Sequence, residues 1–537
     1  MNRNNILKKV LICIILILVG GIITRLIDAH YNNNLKVNSY RWDKINLVLS
    51  QIDQNYVDQV DEKVFSEKVL PGIMFKLDPH SVYLSPKSLK KAEGDLAADF
   101  DGIGISFNVP QDTAIVINVI SDGPSDRSGL KSGDRIIKVG DKKVAGNKMA
   151  QDSLVSLMRG KAGTKVNLEI QRDHQLVDFT ITRGKIPLNS IDVSYMINDT
   201  TGYIKLSKFS KTTYEEFVKH VDKLKAKGMH KLIFDLRDNS GGYFTQAILL
   251  SNEFLAKDDL IVYIKGAHRD RSDAFADGKG KCQDLALSLL INEDSASSSE
   301  IFAGAMQDND RAVIYGRRSF GKGLVQEPIY FSDGSGIRLT VARFYMPSGR
   351  CIQKPYVTRD GESYYFDIYE RYKHGEMSSA DSIQKPDSLA FLTAGGRTVY
   401  GGGGIIPDVF VGIDTIGVTP LLVLINKKAL QIKYASRLSD KYRKSLQNVK
   451  NFKELNLLLD SMNLETVFKS YVRENSIKIN NKQWNISKKI MLTQLRALVG
   501  RYSSLDNDAF YPLISPNDNV LNVAINDELA DIVITAL

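Results

Sequence analysis

Residues 231–256, KLIFDLRDNSGGYFTQAILLSNEFLA, combine three patterns within a short span. KLIFDL (residues 231–236) is a short apolar run that suits a buried strand. DNSGG (residues 238–242) ends that run, and YFTQAILLSNEFLA (residues 243–256) has its apolar residues at helical spacing. The segment therefore predicts a strand, a glycine-containing loop and a helix, which is the pattern of an α/β domain.

Segments further along the chain fit the same α/β pattern. RAVIYG (residues 311–316) and GIRLTVARFYM (residues 336–346) are predicted to be strands. GGRTVYGGGGIIPDV (residues 395–409) predicts a glycine-rich loop with a strand at its end. The polar residues 354–387 predict a long surface insertion between these segments.

Both ends of the chain are predicted to be mostly helical. Residues 37–96 have helical patterns that are broken at LDPHSVYLSP, and the composition becomes helical again from about residue 419. In residues 486–500 the spacing predicts one apolar helix face, with Gly500 as the C-cap; the face comprises Ile486, Ile490, Leu495 and Leu498.

Composition excludes several classes of protein. The 537 residues are 43% hydrophobic and 25% charged, as in ordinary globular proteins, and they allow several domains. The 71 Lys and Arg residues against 62 Asp and Glu residues give a net charge of +9, but the basic residues are scattered, which argues against nucleic-acid binding. Three cysteines are too few for a disulfide framework, and the seven histidines show no ligand spacing, so neither a metal site nor a cofactor is predicted.

The N-terminus has the pattern of an export signal. Arg3, Lys8 and Lys9 precede VLICIILILVGGIIT (residues 10–24), which contains no charge, and no A-x-A cleavage site follows. We expect an uncleaved anchor over residues 1–30, with the positive end inside. This predicts attachment to the inner (cytoplasmic) membrane with the bulk of the chain on the periplasmic, extracytoplasmic side; a cleaved, soluble periplasmic form is the alternative.

One region resembles a peptide-binding module. Its first segment opens a predicted strand with glycines, which let successive backbone N–H groups converge on an anion such as a peptide's terminal carboxylate. An edge strand beside such a loop can accept the peptide as an added strand. GPSDRSGLKSGDRIIKVGDKKV (residues 123–144) follows with a turn, a short helix and a further strand. Together the two segments resemble a PDZ domain, and the resemblance implies that the carboxylate-binding loop is Gly102, Ile103, Gly104 and Ile105.

NEDSASSSEIFAGAMQD (residues 292–308) places four serines within five residues, just before an apolar segment. Ser297-x-x-Glu300 is a capping-box signature, which requires no catalytic role. A helix N-terminus is also a place where a nucleophile gains from backbone N–H groups and from the helix dipole. The pattern alone therefore leaves both a structural cap and a nucleophile open.

A nucleophilic serine needs a base, and no histidine lies in a recognisable motif. The candidate base is Lys322, in RRSFGKGLVQ (residues 317–326). Burial among apolar residues and glycines would lower the pKa of this amine from an ordinary value of about 10.4. Its neighbours in the sequence offer no carboxylate partner that would oppose this effect.

Residues 316–323 also match most of the P-loop pattern of nucleotide-binding proteins. Gly323, however, stands where a Ser or Thr hydroxyl should hold magnesium. The following segment, LVQEPIYF, predicts a strand and not the helix that should receive the phosphates. The sequence therefore disfavours a nucleotide site.

Five segments, in this order along the chain, resemble those of the C-terminal processing peptidases, also called tail-specific proteases. They are DLRDNSGG (residues 235–242), SASSSEIFAGAMQD (295–308), SFGKGLVQ (319–326), LTVARFYMPSGRCIQ (339–353) and GGGIIPDV (402–409). The resemblance covers roughly residues 37–415. It implies a serine protease that uses a Ser-Lys dyad and neither a metal nor an organic cofactor.

The family pattern assigns roles to individual residues. It implies that Ser297 is the nucleophile, that Lys322 is the general base 25 residues later, and that Gln326 assists the lysine. LDPHSVYLSP (residues 77–86) resembles a family segment that packs near the core, so His80 is predicted to be structural.

The predicted oxyanion hole uses backbone N–H groups, those of Ser298 and of Gly241 or Gly242. The chain departs from the family pattern at Ser298, where alanine is usual, and at Ser240, where proline is usual before the two glycines. Arg237 and Asp238 are expected to shape the glycine loop and not to transfer protons.

The predicted fold class is a multidomain α/β (α+β) protein in which a PDZ-like, β-rich module precedes an α/β Ser-Lys protease core, with helical regions at both ends. The expected boundaries are residues 1–30 for the anchor, 36–97 for the helical N-terminal region, 98–185 for the PDZ-like module, 186–415 for the protease core and 416–537 for the helical C-terminal region.

The predicted function is that of a membrane-anchored or exported serine endopeptidase. Its expected partners are proteins with accessible, apolar C-terminal tails and the membrane, through its N-terminal segment, but not nucleic acid. An adaptor and a homo-oligomer are left open. The alternative is a membrane-anchored PDZ scaffold with an inactive protease core.

Overall fold

The computed structural model describes residues 43–96, 99–109, 112–120, 122–356 and 361–530. The chain divides into two compact units, residues 1–73 and 74–537. Helix α1 (Asp43–Asn55) and most of helix α2 (Glu62–Phe75) belong to the first unit. The predicted anchor lies outside the described residues. Within the described part of the chain, no helix combines the length and the apolar composition that crossing a membrane requires.

The second unit begins with short elements and a β-rich module. Its first elements are β1 (Val82–Leu84) and α3 (Pro86–Leu96). The module consists of β2 (Asp99–Gly102), β3 (Ile105–Asn108), β4 (Ala114–Val119), α4 (Pro124–Arg127), β5 (Arg135–Val139), β6 (Lys142–Lys143), α5 (Gln151–Met158), β7 (Lys165–Arg172), β8 (Gln175–Thr182) and β9 (Gly184–Pro187).

One sheet of this module has the strand order β3-β4-β5-β7-β8, with β6 paired to β5, while β2 pairs with β9. Strand β3 is therefore an edge strand, and it begins directly after the glycine-containing turn at residues 102–104. An edge strand offers unpaired backbone groups to an added peptide strand. The apolar core of the module packs Ile103 and Val116 against Leu154 of α5.

A larger α/β region follows the module. Its elements are β10 (Ile191–Met196), β11 (Thr201–Leu206), α6 (Thr213–Lys225), β12 (Lys231–Asp235), α7 (Phe244–Asn252), β13 (Leu260–Gly266), β14 (Arg269–Phe275), β15 (Ala286–Ile291), α8 (Ser298–Asp308), β16 (Val313–Gly316), β17 (Leu324–Tyr330), β18 (Gly336–Tyr345), α9 (Gly361–Lys373), two 3-10 turns (Ala380–Ser382 and Asp387–Leu389), β19 (Ala390–Leu392), β20 (Thr398–Tyr400) and β21 (Val409–Phe410). The strands predicted at residues 231–236, 311–316 and 336–346 are confirmed as β12, β16 and β18.

The main sheet has the order β10-β11-β12-β15-β16-β21. Only the β10–β11 pair is antiparallel; the other four pairs are parallel. Every residue of β12 and β15 is buried, as expected for parallel strands that are covered on both faces. A second sheet has the order β1-β18-β13-β14, with β17 on the other edge of β18.

The C-terminal region is helical, as predicted. It comprises α10 (Pro420–Lys427), α11 (Leu430–Lys441), α12 (Arg443–Gln447), α13 (Phe452–Ser461), α14 (Leu464–Glu474), α15 (Asn481–Arg501), α16 (Asn507–Ile514), a 3-10 turn (Ser515–Asn517) and α17 (Asn519–Asn526). Most of these helices share one apolar core around Trp484 and Phe468.

Helix α17 covers one face of the main sheet. Side chains alternate along β12, so Phe234 faces α6, α7 and α8 on one side, where it packs against Phe302. Ile233 faces the opposite side, where it lies in a second core with Val520 and Leu521 of α17. Residues near the C-terminal end of the chain therefore cover one face of the sheet that carries the central strand.

The β-rich module contacts the C-terminal helices through polar groups. Asn118 Nδ2 donates to Asp506 Oδ2 at 2.7 Å, and Arg443 Nη2 donates to the carbonyl of Gly133 at 2.7 Å. Arg135 forms an ion pair with Asp440. The C-terminal region thus touches both the module and the main sheet.

One prediction at the level of single segments is wrong, and another is confirmed only in part. Residues 354–387 are not simply a surface insertion, because Tyr364 and Arg371 of α9 are buried against the rest of the unit. In α15, Ile486 is 50% exposed and the helix continues past Gly500 to Arg501. The other three residues of the predicted face, Ile490, Leu495 and Leu498, do lie in or against the C-terminal core. Trp484 and Met491 are buried in the same core.

We expect Phe302→Ala to lower the free energy of unfolding by about 3–5 kcal/mol, because it leaves a cavity in a close-packed core. Phe302 has no exposed surface and makes edge-to-face contacts with Phe234 and Phe254, at centroid distances of 5.3 and 5.7 Å. Urea unfolding followed by circular dichroism measures the change. The control Phe275→Ala, at a 55% exposed position, should change it by less than about 0.5 kcal/mol; equal effects of the two changes would contradict this account.

Candidate active site

Three of the four clustered serines join two loops. Ser295 Oγ donates to the carbonyl of Leu236, Ser298 Oγ to that of Gly242, and Ser299 Oγ to that of Asn239, at 2.8, 3.1 and 2.8 Å. All three serines are buried, whereas Ser297 is only half-buried. The serines of the cluster therefore have different roles. Three hydroxyls form hydrogen bonds that join residues 236–242 to the start of α8, and Ser297 lies at the surface between them.

Ser297 has a strained backbone. Its φ of 56° and ψ of −114° are unfavourable for a residue with a Cβ atom, and the residue occupies the N-cap position of α8. A sharp strand-to-helix turn with a serine in such a conformation presents the hydroxyl at the helix N-terminus, as in the nucleophile turn of other serine hydrolases. The surrounding hydrogen bonds must hold this conformation in place.

Glu300 connects Ser297 with Lys322. One carboxylate oxygen, Oε2, accepts the backbone N–H of Ser297 at 2.8 Å and that of Lys322 at 2.9 Å. The two nitrogen atoms therefore lie within about 6 Å of each other. The other oxygen, Oε1, accepts the N–H of Gly321 at 2.6 Å and the hydroxyl of Ser319 at 2.5 Å. Burial raises the pKa of Glu300, and these four donors oppose that effect.

Lys322 is positioned by the loop before β17. Burial lowers the pKa of its amine from the ordinary value of 10.5, and the positive charge of Arg338 lowers it further, while Glu300 and Asp78 act weakly in the opposite direction. Both carboxylates come from other parts of the sequence. The prediction concerned only the neighbours of Lys322 in the chain, which supply no carboxylate. The net effect is a pKa below the ordinary value, so the neutral amine is easier to reach than in an exposed lysine.

Gln326 holds the lysine side chain. Lys322 Nζ donates to Gln326 Oε1 at 3.1 Å, and Gln326 Nε2 donates to the carbonyl of His80, which fixes the orientation of the amide. The His80 ring lies 2.9 Å from the hydroxyl of Tyr364, and burial together with the nearby Lys322 lowers its pKa to about 4. His80 is therefore neutral near pH 7, and its backbone carbonyl is what reaches the site.

The glycine loop, residues 238–242, lies against the turn that carries Ser297. A Cβ atom on Gly241 would come within 2.8 Å of the Ser297 Cβ atom, and one on Gly242 within 2.1 Å of the Phe209 carbonyl oxygen. The N–H of Gly241 donates to Asn239 Oδ1 at 2.9 Å, so that group is occupied. Of the three predicted oxyanion donors, Gly242 and Ser298 are therefore better placed to offer an N–H than Gly241.

The predicted carboxylate-binding loop lies between β2 and β3. Gly104 has φ of 76°, and its carbonyl accepts the N–H of Ile120 at 3.0 Å. The carbonyl of Ile103 accepts the N–H of Ser125 at 3.0 Å, and the Ile103 side chain is buried. Gly102 ends β2 and Ile105 begins the edge strand.

Comparison with known proteins gives three family matches. The peptidase family S41 matches residues 200–363, the PDZ domain matches residues 102–182, and a family of unknown function matches residues 422–503.

Individual relatives agree with these matches. Over 387 residues the chain is 31% identical to the carboxy-terminal processing protease CtpA of Bacillus subtilis, an alignment that covers 70% of this chain and 82% of that protein. Over 359 residues it is 32% identical to a probable CtpA-like serine protease of Staphylococcus saprophyticus, covering 65% and 72%. Among solved structures, the photosystem II D1 C-terminal processing protease aligns with a TM-score of 0.38 and 22% identity, covering 68% of this chain and 86% of that one.

The chain belongs to the C-terminal processing peptidases, which are serine-type peptidases of family S41. The predicted fold class is confirmed: a PDZ domain precedes the peptidase domain in a mixed α/β protein, and a helical region follows. An inactive scaffold is not favoured by these matches.

The residue that sequence analysis missed at this site is Glu300. It was considered only as the second half of a capping box with Ser297, and that half is present, since its carboxylate accepts the Ser297 N–H. The contacts with Ser319, Gly321 and Lys322 depend on a segment about 20 residues later and leave no signal in the local pattern.

We expect Glu300→Gln to destabilise the protein although it keeps the shape of the side chain. Four donors point at the carboxylate, so an amide would set its own NH₂ group against at least one of them, at about 1–3 kcal/mol for each group left unpaired. Thermal unfolding measures the loss. The control Glu327→Gln alters an exposed ion pair with Arg269 and should cost less than about 1 kcal/mol; a Glu300→Gln protein as stable as this control would contradict the bridging role.

Proposed function

We propose that this protein is a membrane-anchored or exported endopeptidase of the C-terminal processing type that hydrolyses proteins through a Ser297–Lys322 dyad and an acyl-enzyme. The observation that carries the proposal is the single Glu300 oxygen that accepts the backbone N–H groups of both residues. Serine and lysine are thereby held as neighbours across 24 intervening residues, with the lysine side chain fixed by Gln326.

In the first half of the reaction, Ser297 Oγ attacks the scissile carbonyl carbon while neutral Lys322 accepts the hydroxyl proton. The tetrahedral intermediate then breaks its C–N bond, and the Lys322 ammonium gives its proton to the leaving amine. In the second half, water attacks the carbonyl carbon of the acyl-enzyme and transfers a proton to Lys322. The C–O bond to Ser297 then breaks, the Lys322 ammonium returns that proton to Ser297 Oγ, and the new C-terminal carboxyl group leaves. The lysine is neutral again after each cycle.

The oxyanion would be stabilised by the backbone N–H groups of Ser298 and Gly242. Ser298 is the first residue of α8, where the N–H groups have no partner within the helix. Such a donor typically contributes ~2.7–4 kcal/mol to transition-state stabilisation. Gly241 would contribute by letting the loop approach Ser297, since its own N–H is bonded to Asn239.

The PDZ domain would select the substrate. Its edge strand β3 and the turn at residues 102–105 suit an extended peptide that ends in a free carboxylate, bound as an added strand. The occupant would be the apolar C-terminal tail of a protein substrate. We also propose that residues 1–30 hold the enzyme at the cytoplasmic membrane with its catalytic part outside, as the charge pattern of that segment predicts.

Ser297→Ala and Lys322→Ala should each remain folded and lose at least ~10³-fold in kcat, because each removes a member of a concerted dyad. The substrate is an unstructured polypeptide with an apolar, free C-terminus, compared with the same chain amidated at its end, which should be cleaved more slowly. The matched control is Ser461→Ala in α13, whose exposed hydroxyl donates to the Leu458 carbonyl in the C-terminal helical region. It should retain activity within about tenfold. An active Ser297→Ala or Lys322→Ala protein would remove the dyad.

The rate should rise with pH through the pKa of Lys322, because only the neutral amine accepts a proton, and the midpoint should lie below the ordinary value of 10.5. Since the positive charge of Arg338 lowers this pKa, Arg338→Gln should move the midpoint of the kcat/KM profile to higher pH. Arg343→Gln, on the same strand but acting on the Cys351 thiol, is the control and should leave the midpoint unchanged. A downward shift in Arg338→Gln would refute the assignment of the base.

A further inference from the structure

Arg237 lies between two carboxylates from distant parts of the chain. Its guanidinium donates to Asp235 at 2.9 and 2.5 Å and to Asp518 at 2.8 and 2.6 Å. Asp235 ends β12, whereas Asp518 caps α17 by accepting the N–H of Leu521 at 3.0 Å. Paired, planar contacts of this kind fix the guanidinium in both position and orientation.

The charges in this cluster balance. Lys205 Nζ lies 3.7 Å from Asp235, so two cations face two carboxylates, and the Asp235 side chain has no exposed surface. Removing the carboxylate of Asp518 would leave an excess positive charge in a largely desolvated place, which is unfavourable unless the neighbouring segment moves. The segment next to this charge is the one that Arg237 begins, residues 237–242.

Arg237 directly precedes the glycine loop. Its backbone N–H donates to Asp235 at 2.9 Å and its carbonyl accepts Lys205 Nζ at 3.0 Å, so side chain and backbone are fixed together. Five residues later the loop ends at Gly242, which bridges to Phe209. Arg237 therefore fixes the start of the loop, while Phe209 and Ser298 hold its end.

We propose that Asp518 is a positioning residue for catalysis: through Arg237, it holds the loop of residues 238–242 so that the Gly242 N–H points at the developing oxyanion. This inference rests on the proposed function. Asp518 lies outside the matched peptidase segment, residues 200–363, so the C-terminal helical region supplies part of the alignment of the active site. The residue touches no substrate and acts only through Arg237.

The test variant is Asp518→Ser. Serine still caps α17, because its hydroxyl can accept the same backbone N–H, but it is too short to reach Arg237. The matched control is Asn519→Ala at the next position, which removes a 3.0 Å bond from Nδ2 to the Gly412 carbonyl and leaves Arg237 untouched. Asp518→Asn, which keeps one acceptor oxygen, should fall between wild type and serine.

The measurement is kcat and KM for the same unstructured polypeptide, with thermal unfolding of each protein. An oxyanion donor acts in the transition state, so Asp518→Ser should lower kcat at least ~10-fold with KM changed less than about twofold. Asn519→Ala should leave kcat within about twofold of wild type.

The outcomes separate the two proposals. A wild-type protein that cleaves no polypeptide contradicts the proposed function, and the positioning role falls with it. An active wild type with unchanged kcat in Asp518→Ser overturns the positioning role alone. Equal losses of kcat in Asp518→Ser and Asn519→Ala, in step with lost thermal stability, would leave Asp518 a purely structural residue and also overturn it.

Discussion

The carboxylate of Glu300 is the contact on which the geometry of the site depends. A fully buried carboxylate is costly to desolvate, and four hydrogen bonds from Ser297, Ser319, Gly321 and Lys322 offset that cost. Every one of these donors comes from the turn that carries Ser297 or from the loop that carries Lys322, so satisfying the carboxylate also brings the backbones of these two residues together. No other described group accepts a hydrogen bond from both Ser297 and Lys322.

The same principle extends to the glycine loop, where polar groups that would be costly to bury alone are used to join separate segments. Ser295, Ser298 and Ser299 donate to carbonyls of residues 236–242, and Asn239 Oδ1 accepts the N–H of Gly241. These contacts hold Ser297 at a positive φ, which local preferences would not maintain. The strained backbone of Ser297 is thus stabilised by the hydrogen bonds of the residues around it.

The C-terminal region has a larger part in the architecture than its position in the chain suggests. Helix α17 covers one face of the main sheet, and Asp518 at its start pairs with Arg237 beside the glycine loop. Asn118 of the PDZ domain bonds to Asp506, only a short distance earlier in the same region. The C-terminal region therefore contacts both the PDZ domain and the residue that precedes the glycine loop.

Local patterns in the sequence were sufficient to predict the central strand β12, the strands β16, β17 and β18 and the helical C-terminal region. They also carried the resemblance that pointed to Ser297, Lys322 and Gln326. Each of these predictions rests on the period of the hydrophobic residues or on a short motif, and both are contained in residues that are neighbours in the sequence. Glu300 as a bridge, Tyr364 beside His80 and Asp518 beside Arg237 depend on contacts between segments about 20 to 280 residues apart. Only the tertiary structure decided these, because which buried polar groups become partners is set by how the strands and helices pack, and the one-dimensional pattern does not contain that packing.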